Sequence, residues 1–543
     1  FNTTGNYNTA LGDAALYSNT TASNNTAVGY QSLYANTTGS ALTAVGTAAL
    51  DANTTGIDNT AVGVSALGGN TTGSYNVAVG RTALLNNTTA DQNTAVGHQS
   101  LYTNTTGASL SAVGVGALYA NTTGSNNVAM GTSSLVSNTT GASNTGLGRD
   151  ALRSNTTGSE STAVGYQAGY SNTTGRITAL GRHAVKNNTT AVEVTGIGYR
   201  ALRDNTTGQY NTSVGGDALM QNTTASNNTA VGYQSLYANT TGANNTGVGK
   251  SALAANTTGD DNASFGNGSL LVNTTGFQNT AVGRAAMDSN TTGSLNASLG
   301  YTSLQKNTTG TNNTGLGHGA LRANTTASNN TAVGYQAGYL NTTGVANLSL
   351  GYQAGYTNAT SNYNTAVGTQ SLANNTGSNN VALGQSALFS NTTASNNTAV
   401  GYQAGYNNTT GSPTAFGRMA LFSNTTGIEN TAVGLNALYS NTTGAANVAL
   451  GWKAMESNTT GVNNTALGAD AGKSITTAAS NTMVGHGAGQ NTNSDKNTFI
   501  GRTAGYNVTS GAKNTIIGRF NGNENGLDFR TESNNIVLSD GDG

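Results

Sequence analysis

All 23 tyrosines occupy three positions of one recurring pattern, and that regularity bounds the chemistry they can do. Take the glycine closing each N-T-A-V-G-like pentapeptide as position 0. Eight tyrosines then fall at +1 (Tyr30, Tyr166, Tyr199, Tyr233, Tyr301, Tyr335, Tyr352, Tyr402), where Trp452 also falls. Eleven fall at +5 and four at +12. Exposed rings in a column could stack on the sugar rings of a host glycan, with Tyr30, Tyr166, Tyr233, Tyr335, Tyr402 and Trp452 as candidate contacts. The alternative is that each ring lies over the groove between coils or across a seam between chains, its hydroxyl in water. Some copies carry Gly-Tyr at +4 and +5, among them Gly169-Tyr170, Gly338-Tyr339, Gly355-Tyr356 and Gly405-Tyr406. There the missing leucine would let the tyrosine turn inward.

Position +7 is asparagine in the first 27 copies, from Asn19 to Asn458. Asn36, Asn53, Asn70, Asn104 and Asn239 are examples. Stacked asparagine side chains can hydrogen-bond along an axis as an internal ladder, and this reading is favoured here. The same Asn-Thr-Thr triplets are N-glycosylation sequons, and Asn-Asn-Thr is a second in many copies. Regular threonines also suggest an ice-binding face. Adjacent strand residues point to opposite sides, however, so such a face needs two threonine columns in alternate positions.

Other chemistry is sparse. Of the four histidines, His98, His318 and His486 sit at +1 many coils apart, and His183 is alone; they cannot share a metal. No zinc-protease, phosphate-loop, EF-hand or dinucleotide motif occurs, nor the Gly-x-Asp pattern of calcium-binding solenoids. No enzyme activity, cofactor or metal is expected. Only 8% of residues are charged and the net charge is −1, which gives no electrostatic case for nucleic acid or an anionic membrane. No cysteine is present, and no 18-residue apolar run that would insert into a membrane.

Whatever these columns do, a repeat must position them. There are 31 repeat glycines, from Gly12 to Gly518; 26 of the intervals are 17 residues and four are 16. So short and strict a period means one structural unit per copy, stacked in line, too short for a helical pair. The expectation is an all-β protein: a β-solenoid, parallel β-roll or β-helix, of about 31 coils. At about 4.8 Å per coil the rod would be on the order of 150 Å long. N-T-A-V reads as a strand; Y-Q-S-L-Y-A-N as a second strand or a tight helical turn. The apolar residue before the glycine and the leucine at +4 should fill the interior. Small residues at −2 and +3 would let another backbone approach, so one of those columns is expected to be a seam between three chains. Residues 1–518 form the repeat shaft and 519–543 a C-terminal cap, with seven charges including Asp542. Phe1-Asn2-Thr3-Thr4-Gly5 reads as the tail of a repeat, so the chain is expected to start inside a longer one.

The N-T-A-V-G strand, with its small residue at −2, resembles the strand of head repeats in trimeric autotransporter adhesins. That resemblance implies a left-handed parallel β-roll built as a homotrimer; the present copy is longer, adding Y-Q-S-L-Y-A-N-T-T. The whole chain resembles repeat shafts of phage tail-fibre-like proteins, where such copies lead to a segment similar to Asn534-Asn535-Ile536-Val537-Leu538-Ser539-Asp540-Gly541. It implies a chaperone domain beyond that segment. The expected role is a structural fibre, outside a cell or on a virion, giving reach and adhesion. Its partners would be two further copies of itself and a host-surface glycan or protein receptor. A cellular surface filament, open to N-glycosylation at its sequons, is the alternative, and an ice-binding solenoid the third.

Overall fold

The computed structural model describes residues 2–524 and 526–540; Gly541 and Asp542, assigned above to the closing segment, lie outside them, as does Phe1. The described residues are all-β and contain no helix. The chain divides into two units, 1–275 and 276–543. In the first, strands β1 (Thr9–Leu11) to β16 (Ala263–Phe265) each occupy one coil of a parallel solenoid. In the second, β17 (Thr280–Val282) to β31 (Thr515–Ile517) do the same. Each copy of the repeat is one coil, about 31 in all. Equivalent residues face each other, as Thr9 faces Thr26 and Ala10 faces Ala27. The 16-residue coils keep this register. Thr162 still faces Thr178, and Thr398 faces Thr414, because the missing residue is lost from the turn and not from the strand.

Strands account for only three residues of most coils, yet backbone pairing continues round the perimeter. The N–H of Gly29 donates to Leu11 O of the preceding coil (2.8 Å), and that of Gln31 to Asp13 O (3.0 Å). The N–H of Leu33 reaches forward to Ala49 O (3.0 Å) and that of Ala35 to Asp51 O (2.9 Å). This stretch was expected to be a strand or a helical turn and is neither. Alternate residues take left-handed φ, 55° at Gln31 and 54° at Leu33. Left-handed φ costs an ordinary residue about 1–2 kcal/mol; full burial of the leucine, worth about 1.5–3 kcal/mol, offsets it. Gly29, at φ 133°, has no such freedom to vary. A Cβ there would stand 2.5 Å from the carbonyl oxygen of Gly46 in the next coil.

The interior overturns three expectations. In each three-residue strand from β2 to β31 the middle residue is buried and its neighbours face outward. Alanine at −2 is therefore the core residue, and the apolar residue at −1 lies outside, as Leu11, Met130 and Phe265 do. The reason is width. A Cβ at +4 lies 3.7 Å from the alanine Cβ at −2 across the coil, measured at Gly338 and Ala332. Leucine at +4 and alanine at −2 fill that gap, and valine at −2 beside leucine would not fit. The −2 and +3 columns are thus both buried inside the single chain, at Ala44 and Ala49 for example, so neither is a surface for another backbone. Nor do the Gly-Tyr copies turn tyrosine inward. The vacancy at Gly169 is filled by Ile177 and Leu152, and at Gly338 and Gly405 by Leu321 and Leu388 of the preceding coils. Each such tyrosine stays in the outer column.

After Gly518 the chain forms a short antiparallel hairpin, β32 (Asn523–Glu524) with β33 (Leu527–Asp528). It then returns to the stack as β34 (Ile536–Leu538), parallel to β31.

Candidate functional site

The asparagines at +7 are buried and form a ladder. Asn36 Nδ2 donates to Asn19 Oδ1 (3.1 Å), Asn53 to Asn36 (2.9 Å), Asn70 to Asn53 (2.8 Å), Asn104 to Asn87 (3.0 Å) and Asn239 to Asn222 (3.0 Å). The second amide hydrogen goes to the carbonyl three residues on, as Asn36 to Gly39 O (2.9 Å). One side chain thereby closes its own turn and ties it to the previous coil. In the second unit the ladder is interrupted at Asn358: its Nδ2 donates to Ser361 O (3.3 Å) and not to Asn341 Oδ1, which is left without a partner, while its Oδ1 accepts from the Ser361 hydroxyl.

A second ladder, missed in the sequence, runs at +13. Asn25 Oδ1 accepts from the backbone N–H of Leu42 (2.9 Å), and Asn25 Nδ2 donates to Gly39 O (3.0 Å). Asparagine recurs at +13 in most copies, interrupted for example at Leu42, Leu110, Ser161 and Val194, and that recurrence was the available signal. Burial also separates the two kinds of sequon. The +7 asparagines are enclosed, whereas Asn24 and Asn227, each followed by Asn-Thr, are exposed.

The six candidate aromatics at +1 are all exposed, but in separate coils, and they do not converge. Tyr335 is stacked between His318 (5.1 Å between ring centroids) and Tyr352 (5.4 Å), so both its faces are covered. Tyr166 meets Arg182 and His183, and Tyr402 meets Arg418. Trp452 lies 5.1 Å from the Lys453 ammonium. Tyr233 faces Gly216, which carries no side chain to cover that side of the ring. Tyr30, like Tyr233, is half exposed. Sugar stacking needs an open face, and of the six Tyr30 and Tyr233 best meet that condition.

A run of four rings also stands at +5. Phe389, Tyr406, Phe422 and Tyr439 stack at 5.1, 5.2 and 5.1 Å, tilted by 10° or less. Two of these rings are phenylalanines, which the tyrosine pattern does not include. These spacings follow the distance between paired strands, so rings in consecutive coils must stack on each other before they can stack on a ligand. Among the described residues no cluster of histidines and carboxylates could hold a metal ion, and no helix is long and apolar enough to cross a membrane. No protein-family model matches the chain. No curated protein is similar to it.

Proposed function

We propose that this chain is a structural fibre protein, serving reach and adhesion on a virion or outside a cell, with a phage tail-fibre shaft as its nearest description. One observation carries the reading. Each repeat is a coil bonded to its neighbours round its perimeter, with an interior filled by its own side chains. Further copies therefore extend the stack without creating a pocket. The resemblance of the repeat to tail-fibre-like shafts supports the same reading.

The fibre is a homotrimer in this proposal. With both small-residue columns inside, the seam must be the outward strand face, where threonine at −3 and valine, leucine, methionine or phenylalanine at −1 leave an apolar stripe. Stripes of that kind mark association surfaces. Light scattering on the purified chain should give three times the 54.2 kDa chain mass, and electron micrographs should show rods. Globular particles would sink the fibre; a single-chain mass would remove the trimer alone.

A second reading, a glycosylated cellular filament, is favoured by the exposed sequons at Asn24 and Asn227. Intact mass equal to the sequence mass, measured on protein from its native source, would eliminate it.

A further inference from the structure

Charge is scarce in this chain but not evenly spread. Seven of the 20 lysines and arginines fall between residues 149 and 203. Two adjoining columns collect most of them. At +1, consecutive coils present Arg149, Tyr166, Arg182 and Tyr199; at +5 they present Arg153, Tyr170, Lys186 and Arg203. Asp150 joins the columns, since its carboxylate lies 3.4 Å from Arg149 and 3.1 Å from Arg153.

The outer cations of this face are paired. Arg200 makes a two-pronged bond to Asp217 (2.7 and 2.9 Å), and Arg203 to Asp204 (2.8 and 2.7 Å). The central coil is different. Arg182, His183 and Lys186 have no carboxylate partner among the described residues. The Arg182 guanidinium lies 5.9 Å from the rings of both Tyr166 and Tyr199, and Lys186 lies 5.8 Å from Tyr170. A guanidinium flanked by rings is held in place while its N–H edges stay free to bind an anion. His183 reports the same field: burial first, then Lys186, Arg182, Arg203 and Arg200, lowers its pKa from the ordinary histidine value.

We propose that this face, centred on Arg182 and Lys186, binds an acidic polysaccharide whose charged groups are separated by neutral sugars. Arg149 and Arg182 stand two coils apart, as do Arg153 and Lys186, which is roughly 10 Å along the stack. A glycan with one acidic group per disaccharide repeats on a comparable length. Tyrosine hydroxyls and ring edges lie between the cations for the neutral sugars to meet. A nucleic acid fits less well. Its charges are dense and continuous, and Asp150, Asp204 and Asp217 would oppose many of them. The site lies wholly within residues 149–217, so it goes beyond the fibre reading and stands whether or not that reading holds.

The test uses the full chain at fixed low salt, with hyaluronan oligosaccharides (one carboxylate per disaccharide), neutral dextran and an oligothymidylate of matched charge. Calorimetry should show hyaluronan binding that weakens with salt, and none to dextran. The double variant Arg182→Gln/Lys186→Gln should lose about tenfold or more in affinity. Arg81→Gln/Lys250→Gln, which removes the same charge from exposed sites outside the patch, should change it little. Matched thermal melts would establish that both variants fold. Absence of hyaluronan binding, equal affinity in the Arg182/Lys186 variant, or oligothymidylate binding as tight as hyaluronan would each overturn the proposal.

Discussion

Coils up to Asn458 and the three coils after it enclose the same narrow space with different chemistry. From Asn375 to Asn458 the turn is held by amides, with Asn391 donating to Asn375 (2.6 Å), Asn408 to Asn391 (2.8 Å) and Asn458 to Asn441 (2.7 Å). At the equivalent places beyond stand Ile475, Thr492 and Val508, all buried. The opposite wall changes with them. Alanine at −2 becomes Met483, Phe499 and Ile516, while +4 becomes Gly472, Gly489 and Gly505. The +13 ladder does not change: Asn497 N–H still bonds Asn481 Oδ1 (2.8 Å), Asn514 bonds Asn497 (2.9 Å) and Asn535 bonds Asn514 (3.0 Å). The difference separates two kinds of asparagine. The +13 amide oxygen satisfies a backbone N–H; single copies replace it with a buried leucine, Leu42 or Leu110, and the ladder resumes one coil on, where Asn59 Oδ1 accepts from Asn76 N–H and Asn127 Oδ1 from Asn144 N–H. In most copies the +7 oxygen bonds another asparagine side chain, so the ladder can be replaced as a whole, here by Ile475 and Val508 with Thr492 between them, its hydroxyl donating to Val508 O (2.9 Å).

The largest expected effect breaks the apolar version. Phe499 is fully buried, and its ring lies 2.8 Å from the positions where Cβ atoms on Gly489 and Gly505 would stand. Neither glycine can fill the space it leaves. Phe499→Ala should cost about 3–5 kcal/mol, read by denaturant unfolding. Hydrogen exchange should rise first in residues 482–520. Uniform loss of protection along the chain would show that the last coils are not a separate way of filling the interior.

The amide version is tested by position in the ladder. Asn239→Val strands Asn222 Oδ1 and the Asn256 amide, which now bond Asn239 at 3.0 and 2.9 Å. Its cost should be about 2–3 kcal/mol. Asn458 is the ladder's last rung, and its Oδ1 already lacks a partner because Ile475 follows. Asn458→Val only moves the end back one coil. It should cost less than the mid-ladder change by about 1–2 kcal/mol. Equal destabilisation by both would mean that the +7 amides act singly, each on its own turn.

The sequence revealed the period, the register and the +7 ladder, because a coil-by-coil repeat turns position in the chain directly into position in space. It misled wherever sidedness had to be chosen. Val28 and Leu33 are equally apolar, yet only Leu33 is fully buried. Three residues of strand are too few for alternation to say which face is inside, and the coil's width, which decides it, is a tertiary quantity. Leucine with left-handed φ was also illegible, since propensity argues against it. The aromatic columns could be placed in the sequence, but whether a ring face was open depended on the neighbours one coil away, as Tyr335 and Tyr233 show.

A smaller effect should exchange one interior for the other. A Cβ on Gly472 would stand 2.6 Å from Met483 Sδ, so Gly472→Leu overpacks and should cost about 2 kcal/mol. The backbone itself is no obstacle, since Gly472 has φ 56° and Leu438, at the same place in its own coil, has 52°. Met483→Ala alone leaves a cavity. Combined, the two changes restore the Leu-and-Ala filling of earlier coils and should be less destabilising than their sum. A double-mutant cycle measures this coupling, and strict additivity would contradict volume exchange across the coil.

The smallest effect concerns pH and contrasts the uncharged interior with the hairpin after Gly518. Asparagine amides do not titrate, so neither ladder should respond to acid. In the hairpin the Asp528 carboxylate accepts from Arg530 Nε (2.9 Å), Nη2 (2.7 Å) and the Arg530 backbone N–H (3.1 Å). The Arg530 side chain, then its backbone N–H, lowers the Asp528 pKa to about 2 from 3.8. Between those values the unfolded segment binds more protons than the folded one. The stabilisation is therefore present above 3.8 and is lost as pH falls towards about 2. Both side chains are exposed to water, so the loss should be confined to residues 523–530 and leave the stack intact. Amide shifts in that segment, followed by NMR through the acid range, should titrate with Asp528 and stop doing so in Asp528→Asn. Shifts of the +7 asparagine amides that follow the same curve would refute an interior held by neutral ladders.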